Sequence, residues 1–321
     1  DTTLTFIARE IDAIRRLGTK VSIFANRQPP EPSRLGEVAK YLTETTYIQP
    51  ISFPFLIYCH IKTFLRQPAT YVRQLSCALH YTKGRHEQRI RALKLFAGSA
   101  VVSEQIRKQG AQHIHAHFTA NAATLAYFAS QFTGLPYSIT AHNTFMTDTL
   151  LLVPKLRAAS FIAVISDYAR NYLISRYPDV RGLADKLRVV RCGIYASEFL
   201  SLTTGRQGGR SKTANIVSVA QLVPRKGFDI LLRALKHVSD AGYDYRCQII
   251  GDGPEKAALD KLANELGVAD SVEFVGRRPL ADVRAALVEA DVFCLACRRT
   301  HDGDEDGIPV ALMEAMATGV P

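Results

Sequence analysis

The residues best able to do chemistry lie near the end of the chain, where acidic side chains flank the start of a helix. Glu314 stands in a helical pattern that is otherwise apolar, and Asp306 comes just before it. Pro309 suits a first helical turn, whose free N–H groups form a ready phosphate site. An unpaired buried carboxylate is costly, so Glu314 needs a partner. Ligand hydroxyls and a Lys or Arg from elsewhere in the chain are both open.

A basic candidate, Lys226, lies between a predicted strand at 214–220 and a predicted helix at 227–241. Ligands of parallel α/β sheets bind at the carboxyl ends of the strands. Lys226 is therefore expected at the mouth of the sheet, where a phosphate would bind. A single Lys before a helix is usually a surface residue, so this prediction depends on its combination with Asp306 and Glu314.

Histidines mark two predicted strands in the first half of the chain. His113, His115 and His117 alternate along strand 112–117 and therefore share one face. That spacing could bind a metal ion, but an ordinary β pattern accounts for it better. His142 follows strand 136–140 and either caps the strand end or belongs to a site.

Two motifs that suggest cofactors fail on inspection. Cys294 and Cys297 form a CxxC on predicted strand residues, where positions three apart face opposite sides, and no second CxxC exists. A zinc site is therefore not expected. Gly251 and Gly253 follow a strand, but Lys256 replaces the third glycine of a dinucleotide-binding fingerprint, so we interpret this segment as a tight turn.

Short β-rich runs alternate with helical runs along the whole chain, which predicts βαβ units and parallel sheets. Strands are predicted at 20–25, 112–117, 136–140, 161–165, 187–191, 214–220, 245–251, 271–275 and 291–295. Helices are predicted at 4–17, 88–109, 120–133, 166–177, 227–241, 255–266, 280–289 and 309–318.

The length of 321 residues suggests two domains. Residues 202–213 are polar and rich in Gly, Ser and Thr, as is typical of an interdomain linker or an exposed loop. The predicted fold is therefore α/β, with Rossmann-like domains over 1–200 and 201–321 that face a cleft. Because the chain starts at Asp1 and stops at Pro321 just after a helical pattern, we expect a fragment that lacks both ends.

Charge is uneven along the chain. The net charge is +10, but residues 1–200 carry +12 and residues 201–321 carry −2. The stretch 60–109 has ten basic and two acidic residues, interleaved with apolar ones. It is interpreted either as an amphipathic surface for an anionic membrane or as a solvated helix face. No nucleic-acid-binding motif is recognised, so nucleic acid is not an expected partner.

The six cysteines do not suggest a disulfide framework, which favours a reducing, cytoplasmic location. No apolar window reaches the length of about 18 residues that a spanning helix needs, and no signal peptide is recognised.

Taken together and in order, the motifs resemble the retaining glycosyltransferases of family 4, which have the two-domain GT-B fold. In the second half the matching stretches are VAQLVPRKGFDILLRAL, IIGDGPEKAALDKLANELGVADSVEFVGRRP and ADVFCLACRRTHDGDEDGIPVALMEAMATGVP. In the first half they are LTFIAREIDAIRRLG, HIHAHFTANAATLAYFASQFTGLPYSITAHNTF and VVRCGIYASEF. The chain is most similar to the exopolysaccharide and colanic-acid-like branch.

The resemblance implies a role for each candidate residue. Asp306 and Glu314 match the family's two acidic residues, which are separated by seven others. The first would contact hydroxyls of the donor sugar, and the second would hold the ribose hydroxyls. Lys226 would bind the donor diphosphate, and His142 would lie near the anomeric carbon. The remaining donor-binding residues implied are Gln221, Arg225, Gly276, Gly307, Ile308, Pro309 and Val310.

Two positions depart from the family's pattern. The family has Arg where this chain has Gln221, and Gln lacks the charge and the fork geometry of Arg. Neighbouring Arg225 is the candidate substitute. The first acidic residue is Asp306 instead of Glu, with Glu305 as an adjacent alternative.

The implied reaction is transfer of a sugar, with retention, from a UDP- or GDP-sugar to a lipid-linked or saccharide acceptor in cell-surface polysaccharide synthesis. No metal is expected, since Lys226 and the helix start at Pro309 would carry the diphosphate charge. If the acceptor is polyprenyl-diphosphate-linked, the basic stretch 60–109 would bind the anionic inner face of the cytoplasmic membrane, where this acceptor lies. A sugar phosphorylase, a nucleotide-sugar epimerase and a silent lipid- or partner-binding module stay open as alternatives.

Overall fold

The computed structural model describes residues 5–28, 39–82, 84–142, 145–146, 148–200, 212–301 and 303–321. Within these residues the chain forms two compact units. The first unit contains residues 14–28 and 40–191, and the second contains residues 5–13, 39 and 192–321. Most of the predicted linker at 202–213 lies outside the described residues, and the domain boundary at residue 200 stays a prediction.

The first unit is built on a parallel four-stranded sheet with the order β3-β4-β5-β6. Its strands are β3 (Ile114–His117), β4 (Tyr137–Ala141), β5 (Phe161–Val164) and β6 (Leu187–Val189). A separate parallel pair consists of β1 (Ile23–Ala25) and β2 (Thr45–Tyr47). The helices are α2 (Phe53–Arg66), α3 (Pro68–His80), α4 (His86–Lys108), α5 (Asn121–Thr133), α6 (Leu152–Ala158), α7 (Asp167–Arg176) and α8 (Leu183–Lys186).

The second unit has its own parallel sheet, with the order β10-β7-β8-β9. Its strands are β7 (Ala214–Val219), β8 (Tyr245–Ile250), β9 (Val272–Gly276) and β10 (Val292–Phe293). Residues 5–13 of α1 (Thr5–Arg16) belong to this unit. The other helices are α9 (Ser197–Leu200), α10 (Phe228–Asp240), α11 (Lys256–Glu265), α12 (Leu280–Glu289) and α13 (Val310–Ala317).

Apolar strands buried between helices hold each sheet in place. All five residues of β4 are buried, and Ile139 on β4 lies opposite Ile162 on β5. In the second unit, α10 buries Leu231, Leu232 and Leu235 in the cluster that contains Ile249 of β8. Strands buried on both faces are typical of parallel sheets covered by helices, so the predicted α/β class is confirmed.

The structure corrects the sequence interpretation in two places. No helix or strand bounds are predicted between residues 26 and 87, although the stretch 60–109 is interpreted as a helix face, and the structure places β2, α2 and α3 there. The predicted strand at 291–295 ends at Phe293, so Cys294 and Cys297 follow the strand instead of lying on it. The pleat argument used against a CxxC metal site is therefore wrong, because pleat alternation does not extend to residues after the strand.

Candidate functional site

The loops after β7, β8 and β9 meet at the carboxyl edge of the second sheet. The amide of Ala220 donates to the carbonyl of Ile250 at 3.2 Å, and the amide of Gly251 donates to the carbonyl of Gly276 at 3.0 Å. Gly251 lies so close to the backbone that a Cβ there would stand 1.8 Å from the carbonyl oxygen of Ala220. This packing explains why glycine follows β8, and it places Gly276 at the sheet edge, where ligands of such sheets bind.

Lys226 ends a short 3₁₀ turn, Pro224–Lys226, that leads into α10. The next residue, Gly227, has a φ of +66°, and a Cβ there would lie 1.9 Å from the carbonyl oxygen of Ala296. The amide of Arg298 also donates to the carbonyl of Arg225 at 2.9 Å. Since glycine tolerates both the positive φ and the close approach, the turn that carries Lys226 packs directly against the segment after β10.

Lys226 and Asp306, predicted as catalytic residues, are in contact. The Lys226 Nζ lies 2.9 Å from the Asp306 Oδ2, and both side chains are largely buried. Arg225 Nε lies 3.5 Å from the other oxygen of Asp306, and Arg225 Nη1 lies 2.8 Å from Asp304. Two cations and two carboxylates therefore form one cluster directly before α13. Arg225, the candidate substitute for the missing charge at Gln221, belongs to this cluster.

The thiol of Cys297 donates a hydrogen bond to the Asp306 Oδ2 at 3.3 Å. Burial, with the nearby negative charge of Asp306, raises the pKa of this thiol to about 11. The thiol therefore stays protonated at neutral pH and acts as a donor. Glu305, the alternative to Asp306, instead has its carboxylate 3.9 Å from Arg299.

Glu314 lies on α13 and is buried. Pro309 caps the helix, which begins at Val310, and Gly307 and Ile308 precede it. The Arg9 Nη2 lies 3.0 Å from the Glu314 Oε1, and the two side chains are 11% and 8% exposed. The sequence leaves ligand hydroxyls and a Lys or Arg open as partners of Glu314, and the structure provides an arginine from α1.

His142 follows β4 in the first unit and lies beside His117. The His117 Nδ1 and the His142 Nε2 are 3.3 Å apart, and the two rings stack with centroids 5.6 Å apart. Burial, followed by the charge of neighbouring histidines, lowers the pKa of His142 to about 4 and that of His117 to about 3. Both imidazoles are therefore neutral at pH 7, which lets one ring donate to the other. The role of His142 at the donor sugar stays a prediction.

The other two histidines bond to hydroxyls of β4. The rings of His113 and His115 lie 2.7 and 2.8 Å from the Ser138 hydroxyl, and His115 also lies 3.0 Å from the Thr140 hydroxyl. The shared face predicted from their spacing is confirmed.

Sequence reasoning missed three residues of these clusters, namely Arg9, Asp304 and Cys297. A weak signal existed for Arg9, which lies three residues after Phe6 and four before Ala13 and so shares their side of α1. A charged side chain on an apolar side of a helix needs a partner. The sequence does not identify that partner, since Glu314 lies 305 positions away.

Comparison with known proteins finds glycosyltransferases. Residues 205–321 match the family model described as "Glycosyl transferases group 1". The glycosyltransferase WcaL of Salmonella typhimurium, named for colanic acid biosynthesis, is 36% identical over 137 residues, which are 43% of this chain and 33% of WcaL. A GDP-mannose-dependent alpha-(1-6)-phosphatidylinositol monomannoside mannosyltransferase of Mycolicibacterium smegmatis is 32% identical over 172 residues, 52% of this chain and 45% of that protein. The matches thus span less than half the length of these relatives.

Among solved structures, Anabaena HepE in complex with UDP and glucose superposes with a TM-score of 0.55 at 19% identity. The superposition covers 70% of this chain and 61% of HepE. At this identity the likeness concerns the fold, which is that of the GT-B glycosyltransferases.

Proposed function

We propose that this chain, whose residues 205–321 match the family model of glycosyl transferases group 1, transfers a sugar from a nucleotide-sugar donor to an acceptor hydroxyl with retention at the anomeric carbon. The observation that carries the proposal is the contact between Lys226 and Asp306 at the carboxyl edge of the second sheet. Asp306 and Lys226 come from different loops, and Asp306 lies on the segment that leads into α13. A cation and a helix N-terminus together suit a diphosphate.

In the proposed reaction the bond between the anomeric carbon and the diphosphate oxygen breaks, and a bond to the acceptor oxygen forms on the same face. The ammonium of Lys226 and the amides at the start of α13 stabilise the charge that develops on the leaving diphosphate. The leaving phosphate takes the acceptor proton. When the diphosphate pairs with Lys226, the Asp306 carboxylate becomes able to accept hydrogen bonds from the donor sugar. Arg225 adds a second cation beside it, in place of the charge that Gln221 lacks.

Glu314 is proposed to accept hydrogen bonds from the ribose hydroxyls, and the backbone near Gly276 to contact the base. Both residues lie in the second unit, as do Lys226 and Asp306. His142 is proposed to lie beside the donor sugar. As a neutral imidazole it can offer one hydrogen-bond donor or acceptor without adding charge.

The acceptor is proposed to be a lipid-linked saccharide that is met at an anionic membrane surface. Basic residues alone support this less than the sequence suggests, because several bind internal carboxylates. Lys62, Arg66 and Arg107 all contact the buried Glu104, and Arg91 contacts Asp148. Lys83 of the same stretch lies outside the described residues.

Stronger support comes from α2, whose exposed face is apolar. Six large hydrophobic residues of this helix are at least 40% exposed and recur at helical spacing: Phe53, Ile57, Tyr58, Ile61, Phe64 and Leu65. An apolar face flanked by basic residues suits the boundary between headgroups and acyl chains of a membrane. None of the described helices is both long and apolar enough to span a bilayer.

Donor turnover tests the proposal. Purified chain is mixed with a panel of UDP- and GDP-sugars and a polyprenyl-diphosphate-linked saccharide, and transferred sugar is measured. Glu314→Ala is expected to lower kcat/KM at least about tenfold, because hydrogen bonds to a charged group are lost. Glu289→Ala, an exposed residue of α12, should leave it unchanged. Undiminished transfer by Glu314→Ala would remove the assignment of the nucleotide site.

A further inference from the structure

We infer that Arg9 is a positioning residue of the donor site, which holds the Glu314 carboxylate aimed at the ribose hydroxyls. The inference rests on the proposed function and extends the site to α1. It is carried by the ion pair between the Arg9 Nη2 and the Glu314 Oε1 at 3.0 Å.

Burial gives this ion pair its weight. The two side chains are 11% and 8% exposed, and the neighbours of Glu314 along α13 include the buried Ala315 and the partly buried Leu312. An exposed pair contributes little, whereas removal of one partner from a buried pair leaves an uncompensated charge. Without the guanidinium, the carboxylate would turn away or recruit water. Each of these outcomes disturbs its capacity to accept hydroxyl hydrogen bonds.

The proposal has ribose and Arg9 share the carboxylate. An ionised carboxylate can accept about four hydrogen bonds, and the Arg9 contact joins one guanidinium nitrogen to one of its oxygens. Arg9 therefore acts through Glu314 and does not itself need to touch the nucleotide.

A positioning role can be told apart from a purely structural one, because only the positioning role makes the effect of Arg9 on nucleotide affinity depend on the ribose hydroxyls. The measurement is calorimetric titration of the full chain with UDP and GDP, and then with the 2′,3′-dideoxy analogue of whichever nucleotide binds. Removal of both hydroxyls is expected to weaken binding to the unaltered chain about tenfold or more. Arg9→Leu should bind the intact nucleotide at least about tenfold more weakly and lose this discrimination, as Glu314→Gln should.

Two further variants keep the test decisive. Arg9→Lys retains the charge and should keep part of the discrimination, which also provides a measurement if Arg9→Leu does not fold. Arg16→Leu changes an exposed arginine of the same helix and should bind both nucleotides as the unaltered chain does.

The outcomes distinguish this inference from the function on which it rests. Suppose that the unaltered chain binds the intact nucleotide more tightly than its dideoxy analogue and that the Arg9 variants show the same ratio of affinities. Arg9 then has no positioning role, while the donor site stands. Tighter binding of the intact nucleotide by Arg9→Leu also overturns the inference, because it makes Arg9 a competitor of ribose. Absence of binding of UDP and GDP by the unaltered chain overturns both.

Discussion

At the scale of single residues, burial changes the titration of one lysine of the first unit. Lys155 of α6 is fully buried, and its side-chain nitrogen donates to the carbonyl of Thr119 and, at 3.1 Å, to the hydroxyl of Thr124. Burial lowers the pKa of Lys155 from 10.5 to about 7. These contacts hold the turn between β3 and α5, just after His117.

The depressed pKa of Lys155 predicts a distinct pH dependence of stability. Between pH 7 and 10.5 the unfolded chain binds a proton that the folded chain does not, so the free energy of unfolding rises with pH. The slope contributed by one such group is about 1.4 kcal/mol per pH unit. Lys155→Met should therefore reduce the slope of the unfolding free energy against pH, measured by urea denaturation from pH 7.5 to 9.

The matched control is Lys94→Met, which alters an exposed lysine of the same unit. Its curve should run parallel to that of the unaltered chain, since other titrating groups are common to both. Parallel curves for Lys155→Met as well would contradict a neutral buried lysine.

At the scale of elements, the turn before α10 requires a glycine on two separate structural grounds. Gly227 combines a φ of +66° with a backbone carbonyl 1.9 Å from the position of a Cβ, whereas Gly242 after α10 has a φ of +80° and open space. Gly242→Ala should therefore cost about 1–2 kcal/mol, from left-handed strain alone. Gly227→Ala should cost clearly more, because the Ala296 backbone must also move.

Urea midpoints of the two glycine variants give the comparison directly. The displacement in Gly227→Ala also moves Lys226 relative to Asp306, so this variant should lose donor turnover while Gly242→Ala retains it. Equal losses of stability would mean that the two segments do not pack as closely as described.

The apolar face of α2 makes a separate prediction at this scale. Phe53→Ser should lower partitioning onto vesicles of phosphatidylcholine and phosphatidylglycerol at least about tenfold, since an inserted aromatic side chain contributes roughly 1.5–3 kcal/mol. Tyr243→Ser is a matched control, because Phe53 and Tyr243 are each 71% exposed but Tyr243 lies in the other unit. Vesicle sedimentation measures both. Equal partitioning of the two variants would exclude α2 as the docking face.

At the scale of the whole molecule, the sequence predicted what depends on local periodicity. The strand predicted at 214–220 is β7 (Ala214–Val219), and the helix predicted at 120–133 is α5 (Asn121–Thr133). Strands β3, β4, β8 and β9 likewise lie where alternating patterns placed them. Parallel pairing followed, because helices separate the strands.

The rest depended on contacts between distant residues. Nothing local to Glu314 identifies Arg9 as its partner, and nothing in the basic run 60–109 reveals that Glu104 binds three of its cations. The stretch 60–109 already suggests a helix face over the end of α2. The start of α2 gives no such sign, because Phe53 and Ile57 are exposed as well as apolar and a surface helix is recognised by its polar side.

The most direct test of the central claim is calorimetric titration of the full chain with UDP and GDP, using Lys226→Ala and, as control, Lys236→Ala. Lys236 is a half-exposed residue of α10 that pairs with Asp240 in the next turn. The unaltered chain and the control should bind one nucleotide equally, and Lys226→Ala should bind it at least about tenfold more weakly, because a charge-assisted contact to the diphosphate is lost. Affinity that is unchanged in Lys226→Ala, or absent from the unaltered chain, would contradict a donor site at this sheet edge.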